Sequence, residues 1–167
     1  MKTIIIIQVL VAFIIGVSAL FLLYKLMDSF LRKRFQIEEN NTSFAIFQSG
    51  ILLSGSLILA SVVNPAVNAI RFINQDVFEW QSVAISFGFV SMFVAIGICC
   101  TLMVIAGGIF TFFQLTNVNE LEQIKANNIA TAIITVAFIL GLSIIMDEYV
   151  GHLCEALIPY PSVLEIR

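Results

Sequence analysis

The sequence predicts an all-α membrane protein, with four transmembrane helices as a duplicated two-helix repeat plus a short interfacial amphipathic helix. Three observations carry this. Hydrophobic residues make up 60% of the 167 residues and charged residues 11%, with a mean hydropathy of +1.04; soluble domains hold roughly 45 to 50% apolar and 25% charged residues. The apolar residues fall in runs of about 20 or more, enough helix to cross a hydrocarbon core about 30 Å thick. Finally, the chain repeats itself at an offset of 87 residues. Sliding 37–61 onto 124–148 gives eight identical pairs, among them Asn40/Asn127, Asn41/Asn128, Ala45/Ala132 and Ser56/Ser143. The paired asparagines lie outside the apolar runs, so shared apolar bias does not account for them.

Four segments follow in order. Residues 1–64 form the first two-span repeat. Its first span, 4–27, has Gln8 and Lys25 as its strongly polar members; it is too long for a signal-peptide core and no small-x-small cleavage site ends it, so it reads as a retained helix. A charge cluster follows, with Asp28, Arg32, Lys33, Arg34, Glu38 and Glu39, and then a second span over 44–63. Residues 65–81 read as an amphipathic connector opened by Pro65. Ala66, Ile70, Ile73, Val77 and Trp80 recur at helical spacing, and Phe78 and Trp80 are expected at headgroup depth. Residues 82–148 form the second repeat, with spans over 82–113 and 129–146. Residues 149–167 are an amphiphilic tail with Tyr149, His152, Cys154 and Tyr160.

Lys25, Arg32, Lys33, Arg34 and Lys125 fall on one side of such a chain, and Lys2, Arg71 and Arg167 on the other. The positive-inside rule then places the first group in the cytoplasm and both termini outside. Two spans per repeat make the halves parallel, related by a pseudo-twofold axis along the membrane normal.

The pattern Glu-x-Ile-x-x-x-Asn-x-Ala-x-Ala-Ile over 122–133, its weaker copy around Asn41, and four spans in a short chain resemble the YjfL-like bacterial inner-membrane proteins, a family grouped as domain of unknown function 350. The first copy departs at Ser43, where Ala130 stands in the second, and at Glu39, opposite Ala126. The resemblance implies a duplicated four-helix protein of the bacterial cytoplasmic membrane with a place in membrane maintenance or envelope stress. It implies no catalytic residue, so none is carried over.

Asn41 and Asn128 stand just before predicted helix starts. A side-chain oxygen there accepts a hydrogen bond from a free backbone N–H, a role Ser or Asp also fills; the competing reading places both at the mouth of a pore. Small residues four apart recur along the spans, and the repeat offset maps Gly50 onto Ala137 and Ser54 onto Gly141. In lipid such a face lets backbones approach, so these four residues are the expected contact between repeats or between protomers. Gly55, whose counterpart is Leu142, is expected to be more tolerant. Arg32, Lys33 and Arg34 form a basic cytoplasmic loop suited to a protein partner.

No Asp, Glu, Lys, Arg or His lies near the centre of any span, where proton relays and ion-coupled carriers usually need one. The chain has no nucleophile–base pair and no phosphate-binding glycine loop. Its three cysteines and one histidine lack ligand spacing. No catalysis, cofactor or metal is expected. A net charge of −3 without basic–aromatic interleaving argues against nucleic acid as a partner. Two functions remain: a homo-oligomeric scaffold in the bilayer, and an oligomeric channel lined by Gln48, Ser54, Ser56, Thr101, Thr131, Thr135 and Ser143.

Overall fold

The structure, a computed structural model, describes residues 2–35, 41–73, 80–116 and 119–158. Its helices are α1 (Lys2–Phe35), α2 (Thr42–Ile73), α3 (Trp80–Thr116), α4 (Glu120–Lys125) and α5 (Ile129–Ala156). There is no strand among the described residues. α1, α2, α3 and α5 are each long and apolar enough to cross a membrane, so the chain is a multi-pass membrane protein. Lipid offers backbone groups no hydrogen bonds, and a spanning helix satisfies its own.

α2 is the central helix. It touches each of the other four, with its most extensive seam along α5. The two run parallel: Ser43 meets Asn127 at their starts, Gly50 meets Val136, Ser54 meets Ser143, and Ser61 meets Gly151. α1 runs antiparallel to α2, with Asp28 beside Gln48 and Leu23 against Gly55. α3 also opposes both: Gly97 meets Leu59 and Val62 of α2, while Gly108 meets Ile139 of α5.

Lipid tails are as apolar as leucine, so these seams are held by close packing and by hydrogen bonds. At Gly50 a Cβ would stand 2.4 Å from a methyl of Val136, so the absence of a side chain is what lets α5 seat there. Lower in the seam Ser143 donates to the Ile139 carbonyl at 2.8 Å and accepts from the Ser54 hydroxyl. The apolar centre is built from Leu23, Phe47, Ile51, Ile58, Phe93 and Ile139, all fully buried. On α5 the buried Thr131, Thr135, Ile139 and Ser143 recur every four residues, one helical face. Ile133, Ile134, Ile144 and Ile145 on its other side stay exposed, as a lipid-facing surface allows.

The connector expected over 65–81 is not a separate helix opened by Pro65. Residues 65–73 continue α2, with Pro65 buried inside it, and 74–79, including Phe78, lie outside the described residues. A proline deprives the carbonyl four residues back, that of Ser61, of its N–H. Ser61 lies against Gly151 of α5, and α2 runs on through Pro65 to Ile73 despite that missing bond. The fourth span likewise does not stop at Asp147-Glu148. Residues 149–156, expected in a tail, form the last two turns of α5, where Glu148 and His152 approach to 3.9 Å one turn apart. Arg32, Lys33 and Arg34, expected in a loop, lie in the last turns of α1.

Candidate functional site

The densest set of specific polar contacts sits where α2 and α5 begin. Asn41 precedes α2, and its Oδ1 accepts from the Phe44 N–H at 2.8 Å. Its amide nitrogen reaches across the junction and donates to the carbonyls of Ile124 and Lys125 at the end of α4, at 2.9 and 3.0 Å; the Ile124 carbonyl also accepts the Asn127 N–H. A return bond comes from the other strand of the junction. Asn127 adopts a left-handed backbone (φ 61°), which asparagine tolerates better than most residues, and its Oδ1 accepts from the Ser43 N–H at 3.0 Å. The starts of α2 and α5 are therefore laced together.

Asn128 is the N-cap of α5: its Oδ1 accepts from the Thr131 N–H at 3.3 Å, and its amide donates to Gln123 Oε1 at 3.1 Å on the exposed side. Asn41 is buried and Asn128 exposed, so residues equivalent by the repeat offset occupy different surroundings.

The small-residue positions separate as well. Gly50 and Ser54 are in the α2–α5 seam, while Ala137 and Gly141 are exposed, and a Cβ at Gly141 would meet nothing within 4 Å. Ala137 and Gly141 therefore make no contact between the halves of one protomer, and a twofold axis does not relate the two pairs. Gly55 is buried, and its would-be Cβ would meet the flexible far end of Leu23, whereas that of Gly50 would meet the β-branched Val136. Ala137 and Gly141 separate from Gly50 and Ser54 because the repeat register aligns positions along the chain without saying which face turns inward.

The hydroxyls and amide considered for a pore lining are largely engaged. Thr101 and Thr135 each donate to the carbonyl one turn back at 2.8 Å, Ser56 to that of Leu53 at 2.7 Å, and Gln48 to Asp28 at 3.4 Å. Lys33 is exposed at the end of α1, on the same side as the junction.

Sequence reasoning missed α4 and its buried acid. Asn119 caps α4 through the Glu122 N–H at 3.4 Å, and the Asn-x-x-Glu spacing was a readable helix-start signal. Glu120, the first residue of α4, is 2% exposed, and its Oε1 has no hydrogen-bond partner. Burial raises its carboxyl above the usual carboxylate range, partly offset by its own backbone N–H. Cys99 is exposed, Cys100 half-buried and Cys154 buried, all as free thiols. Among the described residues no three His, Cys, Asp or Glu side chains gather as a metal site would require.

Four spanning helices define a multi-pass membrane protein, and comparison with known families goes one step further. The model of a Domain of Unknown Function (DUF350) matches residues 2–98 and 84–158, and the chain belongs to that family. No curated protein and no solved structure matches it.

Proposed function

We propose that this protein is a non-catalytic, homo-oligomeric scaffold of the bacterial cytoplasmic membrane, acting in membrane maintenance or envelope stress. Both termini face outward in this reading, and the basic end of α1 at Arg32, Lys33 and Arg34 meets a cytoplasmic protein partner. The observation that carries it is the use of polarity in the spans. The Ser54–Ser143 pair and Gln48 are taken up in bonds between helices, and the Thr101 and Thr135 hydroxyls are spent on carbonyls of their own helices. A channel would keep such groups facing a wet axis.

Oligomerisation rests on α5. Ala137 and Gly141 lie in a shallow groove with Ile133, Phe138 and Ile145, where a second helix could approach closely. The test is disulfide cross-linking in native membranes with the three native cysteines replaced by serine or alanine. Cysteine at Gly141 is expected to give a cross-linked dimer, and cysteine at Met103, exposed on α3, is not. Monomer at both positions would overturn the oligomeric reading. Single-channel currents from the purified protein in planar bilayers, with cation preference increased by Asn128→Asp, would replace the scaffold with the oligomeric channel.

A further inference from the structure

A furrow crosses the outside of the bundle on the junction side. Its first stretch lies along α1, with Lys25 and Lys33 on the rim. Leu26 and Phe30 belong both to that stretch and to the next, which is walled by Leu102 and Ile105 of α3 and holds about 390 Å³. Ala106, Ile109 and Leu121 carry it on into a third stretch, which ends at Phe113, Asn119 and Glu120. The middle is almost wholly apolar, and its volume is at the small end of ligand pockets, which run roughly 300 to 1,000 Å³. That suits an acyl chain.

The far end makes this more than a lipid-facing groove. Glu120 is 2% exposed with an Oε1 that no donor reaches, at the start of a helix of six residues. A buried, incompletely bonded carboxylate is costly unless a hydrogen-bonding cation completes it.

We propose that the furrow binds a phospholipid with a primary-amine headgroup: an acyl chain lies between α1 and α3, and the ammonium donates to the Glu120 carboxylate. The geometry favours this occupant because the apolar wall and the anionic end match its acyl chain and its ammonium. The chain covers Leu102, Ala106 and Ile109, and the ammonium meets the carboxylate. A phosphatidylcholine headgroup has no N–H to donate, and a phosphatidylglycerol headgroup has no cation.

The intact chain is reconstituted in phosphatidylcholine vesicles, alone or mixed equally with phosphatidylethanolamine or with phosphatidylglycerol. Lipid retained after transfer to mild detergent is counted by native mass spectrometry. Wild type is expected to retain phosphatidylethanolamine over phosphatidylcholine by about tenfold, the scale of one charge-assisted hydrogen bond. Glu120→Gln is expected to retain both alike. Ala106→Phe fills the exposed middle of the furrow, leaves the carboxyl in place, and is expected to lose retention of either. Wild type without headgroup preference, preference for phosphatidylglycerol, or a preference unchanged in Glu120→Gln would each overturn the proposal. If Glu120→Gln does not fold, Ala106→Phe decides, and undiminished retention by it is the overturning result. A basic protein that copurifies in place of lipid would count against it equally.

Discussion

Asn41 and Asn128 occupy equivalent places in the repeat register but carry different loads. Asn41 caps α2 with its oxygen and holds the end of α4 with its nitrogen, through three bonds at 2.8 to 3.0 Å. Aspartate there keeps the cap, loses both donations, and sets a carboxylate against two carbonyl oxygens. Asn41→Asp is therefore expected to cost more than 1 kcal/mol, and Asn41→Ala about 2 to 3 kcal/mol. At Asn128 the second bond is exposed and the cap survives the same change, so Asn128→Asp should stay within about 0.5 kcal/mol. Thermal unfolding in detergent checks the pair, and equal losses at both sites would refute the cross-junction role of Asn41. Glu120 adds a pH dependence. Its carboxyl titrates above the ordinary range when folded, because burial disfavours the charge. The folded state thus holds that proton more tightly, and stability is greatest below the unfolded-state value and falls as pH rises through the raised one. In lipid-free detergent, unfolding of wild type is expected to lose stability from about pH 4 upward relative to Glu120→Gln. Parallel profiles would remove the claim.

Helix packing turns on which glycines face a neighbour that can yield. At Gly108 an added Cβ stands 2.6 Å from Ile139 Cγ1 and 3.3 Å from its Cα, and at Gly50 it stands within 3.0 Å of three atoms of Val136. Both neighbours are β-branched and stiff about χ1. At Gly55 the obstacle is the far end of Leu23, which can rotate away, and at Gly141 nothing is near. Gly108→Ala and Gly50→Ala are expected to cost about 1 to 3 kcal/mol and Gly55→Ala less. Gly141→Ala should be neutral or stabilising by about 0.5 to 1 kcal/mol through helix propensity. Calorimetric or optical melting of the four variants reads the order, and a loss at Gly141 matching that at Gly50 would contradict it. The same positions show how far the sequence could be read. The four spans were legible because a hydrocarbon core demands long apolar runs, and that demand is local. α4 was not: its six residues, four of them charged or amide-bearing, are too few to hold a helix alone and depend on Asn41 from a distant segment. Pro65 misled because its local preference to open a helix is outweighed by the seam with α5. Ala137 and Gly141 misled because spacing reveals a small-residue face without revealing what it meets.

At the scale of the whole molecule, the bonds between Asn41 and the end of α4 place the starts of α2 and α5 on one membrane side, and the Gln48–Asp28 bond brings the finish of α1 to the same side. The parallel seam puts the end of α5 on the other. With 28 residues, α5 is about 42 Å long, more than the roughly 30 Å core, so one end at least emerges from the hydrocarbon. Cys154 is a poor reporter of sidedness because it is fully buried, whereas His152, two residues earlier, is exposed. The sharper design removes the three native thiols and introduces cysteine singly at Lys33, Lys125 or His152, all exposed. The fold requires positions 33 and 125 to behave alike and 152 to behave oppositely. In the orientation proposed above, the junction side, which carries Lys25, Arg32, Lys33, Arg34 and Lys125, faces the cytoplasm. In intact cells, an impermeant thiol reagent is therefore expected to label 152 and to reach 33 and 125 only after the membrane is opened. Labelling of 33 and 125 with protection of 152 would reverse the orientation and leave the fold standing. Opposite behaviour at 33 and 125 would separate the starts of α2 and α5, and with them the seam on which the bundle is built.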